Sequence, residues 1–394
     1  MGAIRPEILT WARETAGLSL EDAARAVGLK EARGEPGRVR LAKIEETGDP
    51  PRPLLLKMAK AYRRPLLVFY LSQPPKKGDR GQDFRTLPGE ARYNPELDAL
   101  IRDIKGRQGL VRSILEDQEA EKVVFVGAAT MDAPVASLAR QITENLKFSL
   151  NVFRGEKTGD DAFAYLRTQI EGKGVFVLLL GNLGSYHSNI PLDIFRGFAI
   201  ADPLAPMIVI NDQDAKTAWS FTALHELVHL WLGRTGVSGT DATAQIEQYC
   251  NDVAGEILLP EKDLEGFAKP TTLEKMAFEI SEFAEARRIS RSMVAYKLFR
   301  EERIQRAMWA TLTGRFRNEW LAQKQRRAEK QRESDGGPSY YVVRRQRVGN
   351  ALLGLMRRAL DEGTTTYTKA GRVLGVKPTN VEPLLASGSN RGSR

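Results

Sequence analysis

A chain of 394 residues is longer than one ordinary core and predicts two or three domains. With 42% hydrophobic and 28% charged residues it reads as globular, and neither a signal-peptide run in Met1 to Thr10 nor an apolar stretch of membrane length is present, so the expectation is a cytoplasmic protein with no membrane partner. The single cysteine, Cys250, excludes an internal disulfide and a zinc finger and agrees with a reducing compartment. The net charge is +9, and residues 301–350 alone hold 12 Lys/Arg against 6 Asp/Glu, a surplus suited to a polyanion, to an acidic protein surface or to a solvated helix face.

In chain order, residues 6–71 read as short helices joined by Gly and Pro breaks, clearest at 18–27 and 54–62. The Pro74, Pro75, Lys76, Lys77, Gly78 run marks a boundary, and a helical connector is expected from Pro95 to Glu121. Strands are expected at Lys122–Val126, Val175–Leu180 and Met207–Ile210. Helices surround them, and beyond Ser290 only helices are expected, broken by a polar stretch at 333–339 before a last helical unit at 341–385. The expected fold is therefore α+β and predominantly helical, divided into 1–75, a connector at 76–122, a central domain at 123–300 with a small sheet, and a basic helical region at 301–394.

The chemistry concentrates in Ala223-Leu224-His225-Glu226-Leu227-Val228-His229-Leu230-Trp231, an uninterrupted apolar segment that carries two of the three histidines of the chain. On a helix, residues i and i+4 share a face, so both imidazoles can reach one Zn2+ while Glu226, about 100° round from His225, can reach an attacking water. A catalytic zinc needs three protein ligands and one open position. No histidine follows His229, so the third must be a carboxylate, from Asp241, Glu247, Asp252 or Glu256. In a helix over 244–259 the apolar residues Ile246, Cys250, Val253, Ala254, Ile257 and Leu258 define an inward face; Glu247 sits roughly 60° from its centre and Glu256 roughly 120°. Glu247 is the better candidate, and Asn251, one turn on, is placed to orient a ligand imidazole. His187 and Tyr186, in a loop after a predicted strand, are candidate stabilisers of the transition state.

This pattern resembles the ImmA/IrrE family of bacterial metallopeptidases, from Phe221 through His229 and from Glu247-Gln248-Tyr249-Cys250-Asn251 to Leu258-Leu259-Pro260, with the Met207–Asn211 segment upstream. The resemblance implies zinc held by His225, His229 and Glu247, and Glu226 as general base. The departures are Cys250 and Val228, where the family favours smaller residues. The segment Leu18 to Gly28, with Ser19 as helix cap, Ala24 at a helix crossing and Gly28 in the turn, resembles the first part of a Cro/C1-type (XRE) helix-turn-helix, and Ile44-Glu45, Gly48, Pro51, Leu55, Leu56, Ala59 and Tyr62 continue it. Residues 31–37 look inserted relative to that pattern. The reading helix would span 38–46 and offer Arg38, Arg40 and Lys43 to double-stranded DNA. A second, weaker pattern of this kind lies at Ala370–Lys377. Together these imply a zinc endopeptidase coupled to a helix-turn-helix, cutting a repressor or other regulatory protein; the alternative is a DNA-binding or toxin–antitoxin type regulator whose zinc is structural or sensory.

Overall fold

The computed structural model describes residues 4–75, 94–184, 188–234, 241–265, 267, 272–333 and 339–386. Four helices open the chain, α1 (Pro6–Glu14), α2 (Leu20–Val27), α3 (Gly37–Thr47) and α4 (Arg52–Ala61), followed by a 3-10 turn at Leu66–Tyr70. They close on their own core of Ile8, Leu9, Val27, Leu41, Leu55, Met58 and Phe69. Ser19 caps α2 by accepting from the Asp22 amide at 3.1 Å, and Gly28 ends it in the left-handed region (φ 74°). The segment that looks inserted forms a small bridge, Ala32 to Glu35, before α3.

Then come α5 (Pro95–Asp117), α6 (Val135–Leu146), α7 (Leu150–Gly155) and α8 (Gly159–Glu171), and three strands, β1 (Phe176–Leu179), β2 (Gly197–Ile200) and β3 (Met207–Ile210). After the sheet the chain is helical: α9 (Lys216–Trp231), α10 (Asp241–Leu258), α11 (Leu273–Ala286), α12 (Arg291–Arg300), α13 (Arg306–Glu333), α14 (Tyr340–Val348), α15 (Asn350–Asp361), α16 (Tyr367–Leu374) and α17 (Val381–Ala386). Helix accounts for 65% of the molecule, so the α+β, predominantly helical fold is as expected.

The sheet runs β1-β3-β2, with β1 parallel and β2 antiparallel to the central β3. Because side chains alternate across a strand, its two faces serve two cores. Val177, Leu179, Ala199, Ile208 and Ile210 join α6 to α12 in one cluster. Phe176, Leu178, Phe198, Ile200, Met207 and Val209 join α5, α15, α16 and α17 in the other. The strands are buried on both sides, which is why β1 and β3 read as unbroken apolar runs.

Two of the three expected strands form, and the one at Lys122–Val126 does not. That stretch is a turn whose amides serve other ends: Val123 donates to the Pro203 carbonyl, and just beyond, Gly127 and Ala129 donate to the Leu230 and Trp231 carbonyls at the end of α9. Helix C-termini leave such acceptors unpaired. Phe125 stacks on Trp231 at 5.1 Å, and Val124 is left in solvent. The third strand is β2, an unpredicted element.

Candidate metal centre

Helix α9 has neither Gly nor Pro from Lys216 to Trp231 and is apolar nearly all round, as a helix enclosed by protein must be. It lies between the sheet, α8 and α10, with Trp219 edge-on to Phe163 of α8 at 5.4 Å. Helix α10 turns Cys250, Val253, Ala254 and Leu258 into the same core. Burial pushes the Cys250 thiol up, which keeps it a neutral packing group behind Glu247.

At this crossing three side chains converge. The Nε2 atoms of His225 and His229 stand 3.2 Å apart; Glu247 Oε2 lies 3.1 Å from the first and Oε1 3.2 Å from the second. All the donor atoms fall within 4.8 Å of one another. Tetrahedral ligands on bonds of ~2.0–2.1 Å sit roughly 3.3 Å apart, so this triangle fits a Zn2+ with a fourth position open. The polar atoms argue the same way. Glu247 Oε1 is buried and, apart from the His229 ring 3.2 Å away, has no hydrogen-bond partner, a costly state for a protein interior.

Burial works against charge on the Glu247 carboxyl, but hydrogen bonding from His225 and His229 outweighs it and holds the group well below the usual range. Burial likewise opposes protonation of His225, and is overcome by the bond to Glu247, the charges of Glu226 and Glu247, and the Asn251 side chain beside the ring. A carboxylate that keeps its charge next to two imidazoles is a ready cation ligand.

Glu226 is buried, and burial raises its carboxyl above the ordinary value, against the pull of His225 and His229 and with a further push from Glu247. A raised carboxyl suits a group that takes and returns a proton near neutral pH. The space around it comes from Gly197 at the start of β2. A Cβ at Gly197 would stand 2.7 Å from Thr222 Cγ2 and 2.9 Å from Glu226 Oε1. Sequence reasoning missed this glycine, because nothing local ties a residue on a strand to a helix some thirty positions later.

Of the other acidic candidates on α10, Asp252 is taken up by Arg300 and Tyr296, and Glu256 by Lys297 at 2.7 Å. Tyr186 and His187 lie outside the described residues. In the N-terminal bundle Arg38 is exposed on α3; Arg40 donates to the Lys30 carbonyl at 2.8 Å and Lys43 pairs with Glu35. The structure thus brings His225, His229, Glu226, Glu247 and Asn251 together and leaves the three basic residues on a separate surface.

Residues 188–299 match the model of a peptidase family, Peptidase_M78, described as the IrrE N-terminal-like domain. The match covers less than a third of the chain but includes β2, β3 and α9 to α12, and so all five clustered residues. This segment is similar to peptidases of the ImmA/IrrE type. No curated protein and no solved structure matches the chain. Among the described residues no helix is long and apolar enough to cross a membrane.

Proposed function

We propose that this chain is a cytoplasmic zinc endopeptidase that cuts a repressor or other regulatory protein, with Glu226 as general base. The observation that carries the proposal is the donor triangle of His225, His229 and Glu247 with a buried carboxylate, Glu226, beside it. Zn2+ held there supplies a Lewis acid that polarises a scissile carbonyl and acidifies water. Glu226 accepts the proton of the attacking water and delivers it to the leaving amine. Asn251 orients the His225 ring. Among the described residues β2 pairs on one side only, with β3. Gly197 at its start lies against Glu226, and an extended peptide added along its free edge as a further strand would run beside the site.

The intact Glu226 favours hydrolysis over a structural zinc, which needs no carboxylate poised beside its ligands. Freshly purified protein should carry about one zinc per chain; protein that lacks metal and does not rebind it sinks the proposal. Glu226→Gln should keep the metal and lower cleavage of a co-expressed repressor substrate by about 10²-fold or more. Fragments appearing at the parent rate would assign the base to another group.

The N-terminal bundle supports coupling to double-stranded DNA: α2 and α3 meet across a left-handed glycine turn, and Arg38 faces solvent from α3. Removing residues 1–75 should weaken duplex binding and flatten its salt dependence. Binding that persists unchanged would move that activity to the basic C-terminal part.

A further inference from the structure

On the other face of the sheet from the donor triangle, buried charge gathers again, and here it is positive. An open cavity of about 620 Å³ is lined by Asp103 and Arg107 of α5, Tyr340 of α14, and Arg372, Lys377 and Asn380 from α16 and the turn after it. Behind it, Gly375 ends α16 in the left-handed region (φ 64°). A Cβ at Gly375 would collide with Nη2 of Arg344 and stand 2.7 and 2.8 Å from Nη1 and Nη2 of Arg107. Two guanidinium groups therefore converge on one glycine. Arg344 is buried and gives Nε and Nη2 to the Leu374 carbonyl. Arg107 gives Nη2 to Asp103 at 2.6 Å, while its Nε and Nη1 are buried with no partner. Burial and the neighbouring charges of Arg107 and Arg347 push Arg344 down to about 10. Arg372 and Lys377 are exposed at the rim and make no ion pair among the described residues.

Three cations, Arg107, Arg372 and Lys377, thus line one depression, with Arg344 buried behind Gly375, against a single lining carboxylate, Asp103, which is itself half exposed. Unpartnered buried guanidinium nitrogens beside a like charge are unfavourable unless an anion completes them. The planar fork of arginine fits a tetrahedral oxyanion through paired N–H donors. The volume lies in the range of small-molecule sites, and Tyr340 offers an aromatic ring at the mouth.

We infer that this cavity binds the phosphate group of a small molecule, with Arg107 at its base, Arg372 and Lys377 at its rim, and the buried charge of Arg344 behind them. The ligand is either inorganic phosphate or a mononucleotide, and the two are told apart by titration. The unfolding midpoint of the full-length protein should rise in sodium phosphate above its value in sodium chloride of equal ionic strength. Calorimetric titration with phosphate and with ATP then ranks them: equal affinity identifies free phosphate, and tighter ATP identifies a nucleotide seated against Tyr340.

The double variant R372Q/K377Q changes only exposed side chains and should weaken the tighter ligand about tenfold. R107M should lose the phosphate response without lowering the midpoint of the ligand-free protein, because it removes one of two facing like charges. The inference is overturned if phosphate and ATP do no more than chloride, or if R372Q/K377Q and R107M respond as the parent does. Loss of duplex DNA binding in R372Q/K377Q with no response to phosphate or ATP in the parent overturns it as well.

Discussion

Gly197 and Glu226 show how a single absent side chain sets a reactive one. The carboxylate of Glu226 occupies space that any Cβ at position 197 would contest, and its buried position keeps its proton affinity high. Gly197→Ala tests this directly. Position 197 has no left-handed backbone, so alanine is conformationally allowed and gains about 0.4–1 kcal/mol by restricting the unfolded chain. Overpacking against Thr222 costs about 1–3 kcal/mol, leaving a net loss of roughly 0–2.6 kcal/mol. Displacement of the Glu226 carboxylate should matter more, since a misplacement of ~1 Å at a reacting group costs about 10²-fold in rate. The variant should therefore hold zinc and melt within a few degrees of the parent while its kcat falls steeply. A kcat that stays at the parent value would show that Glu226 has room to spare. The histidines and Glu226 are legible in the sequence because i, i+4 spacing on an uninterrupted apolar helix has a fixed geometry. Glu247 is legible because the apolar face of α10 orients it. Gly197 is not, since its meaning lies wholly in a neighbour brought by folding.

At the level of elements, backbone demands decided what apolar content alone could not. Lys122–Val126 and β2 are similarly short and apolar, yet only β2 finds a strand to pair with, and the 122–129 stretch spends its amides on Pro203 and on the end of α9. The N-terminal bundle offers a sharper case. Arg13 on α1 clasps Glu45 on α3 through Nε at 2.9 and 3.1 Å, and both side chains are almost wholly buried. Glu45→Ala leaves the Arg13 charge buried and unpaired and should cost about 3–5 kcal/mol. The double change R13M/E45L removes both charges and should restore most of that loss, as buried pairs often exchange for apolar residues at little net cost. Urea unfolding of the two variants separates the readings. If Glu45→Ala loses less than about 1 kcal/mol, the pair is screened by solvent and does not tie α1 to α3.

Across the whole molecule, the site depends on parts of the chain far outside the matched segment. Residues 188–299 contain β2, β3 and the helices that carry the donors, but the sheet is completed by β1, and its second face is covered by α5 and by helices from residue 340 onward. Sequence reading set 76–122 and 301–394 apart because a Pro-rich run marks the first boundary and the strands end before the second; in the fold α5 and α14 to α17 share one core with Phe176, Leu178, Phe198, Ile200, Met207 and Val209. Apolar periodicity shows that a helix has a buried face, but not which distant surface it will cover. A chain ending at residue 339 would leave much of that sheet face bare. Each large apolar side chain returned to water costs about 1.5–3 kcal/mol, and several at once exceed the ~5–15 kcal/mol by which ordinary domains are stable. The truncated protein should therefore bind ANS strongly, lose its cooperative thermal transition and fail to retain zinc, although every proposed ligand is still present. A soluble 1–339 chain that melts cooperatively and carries zinc as the parent does would show that α5 alone suffices to close the sheet.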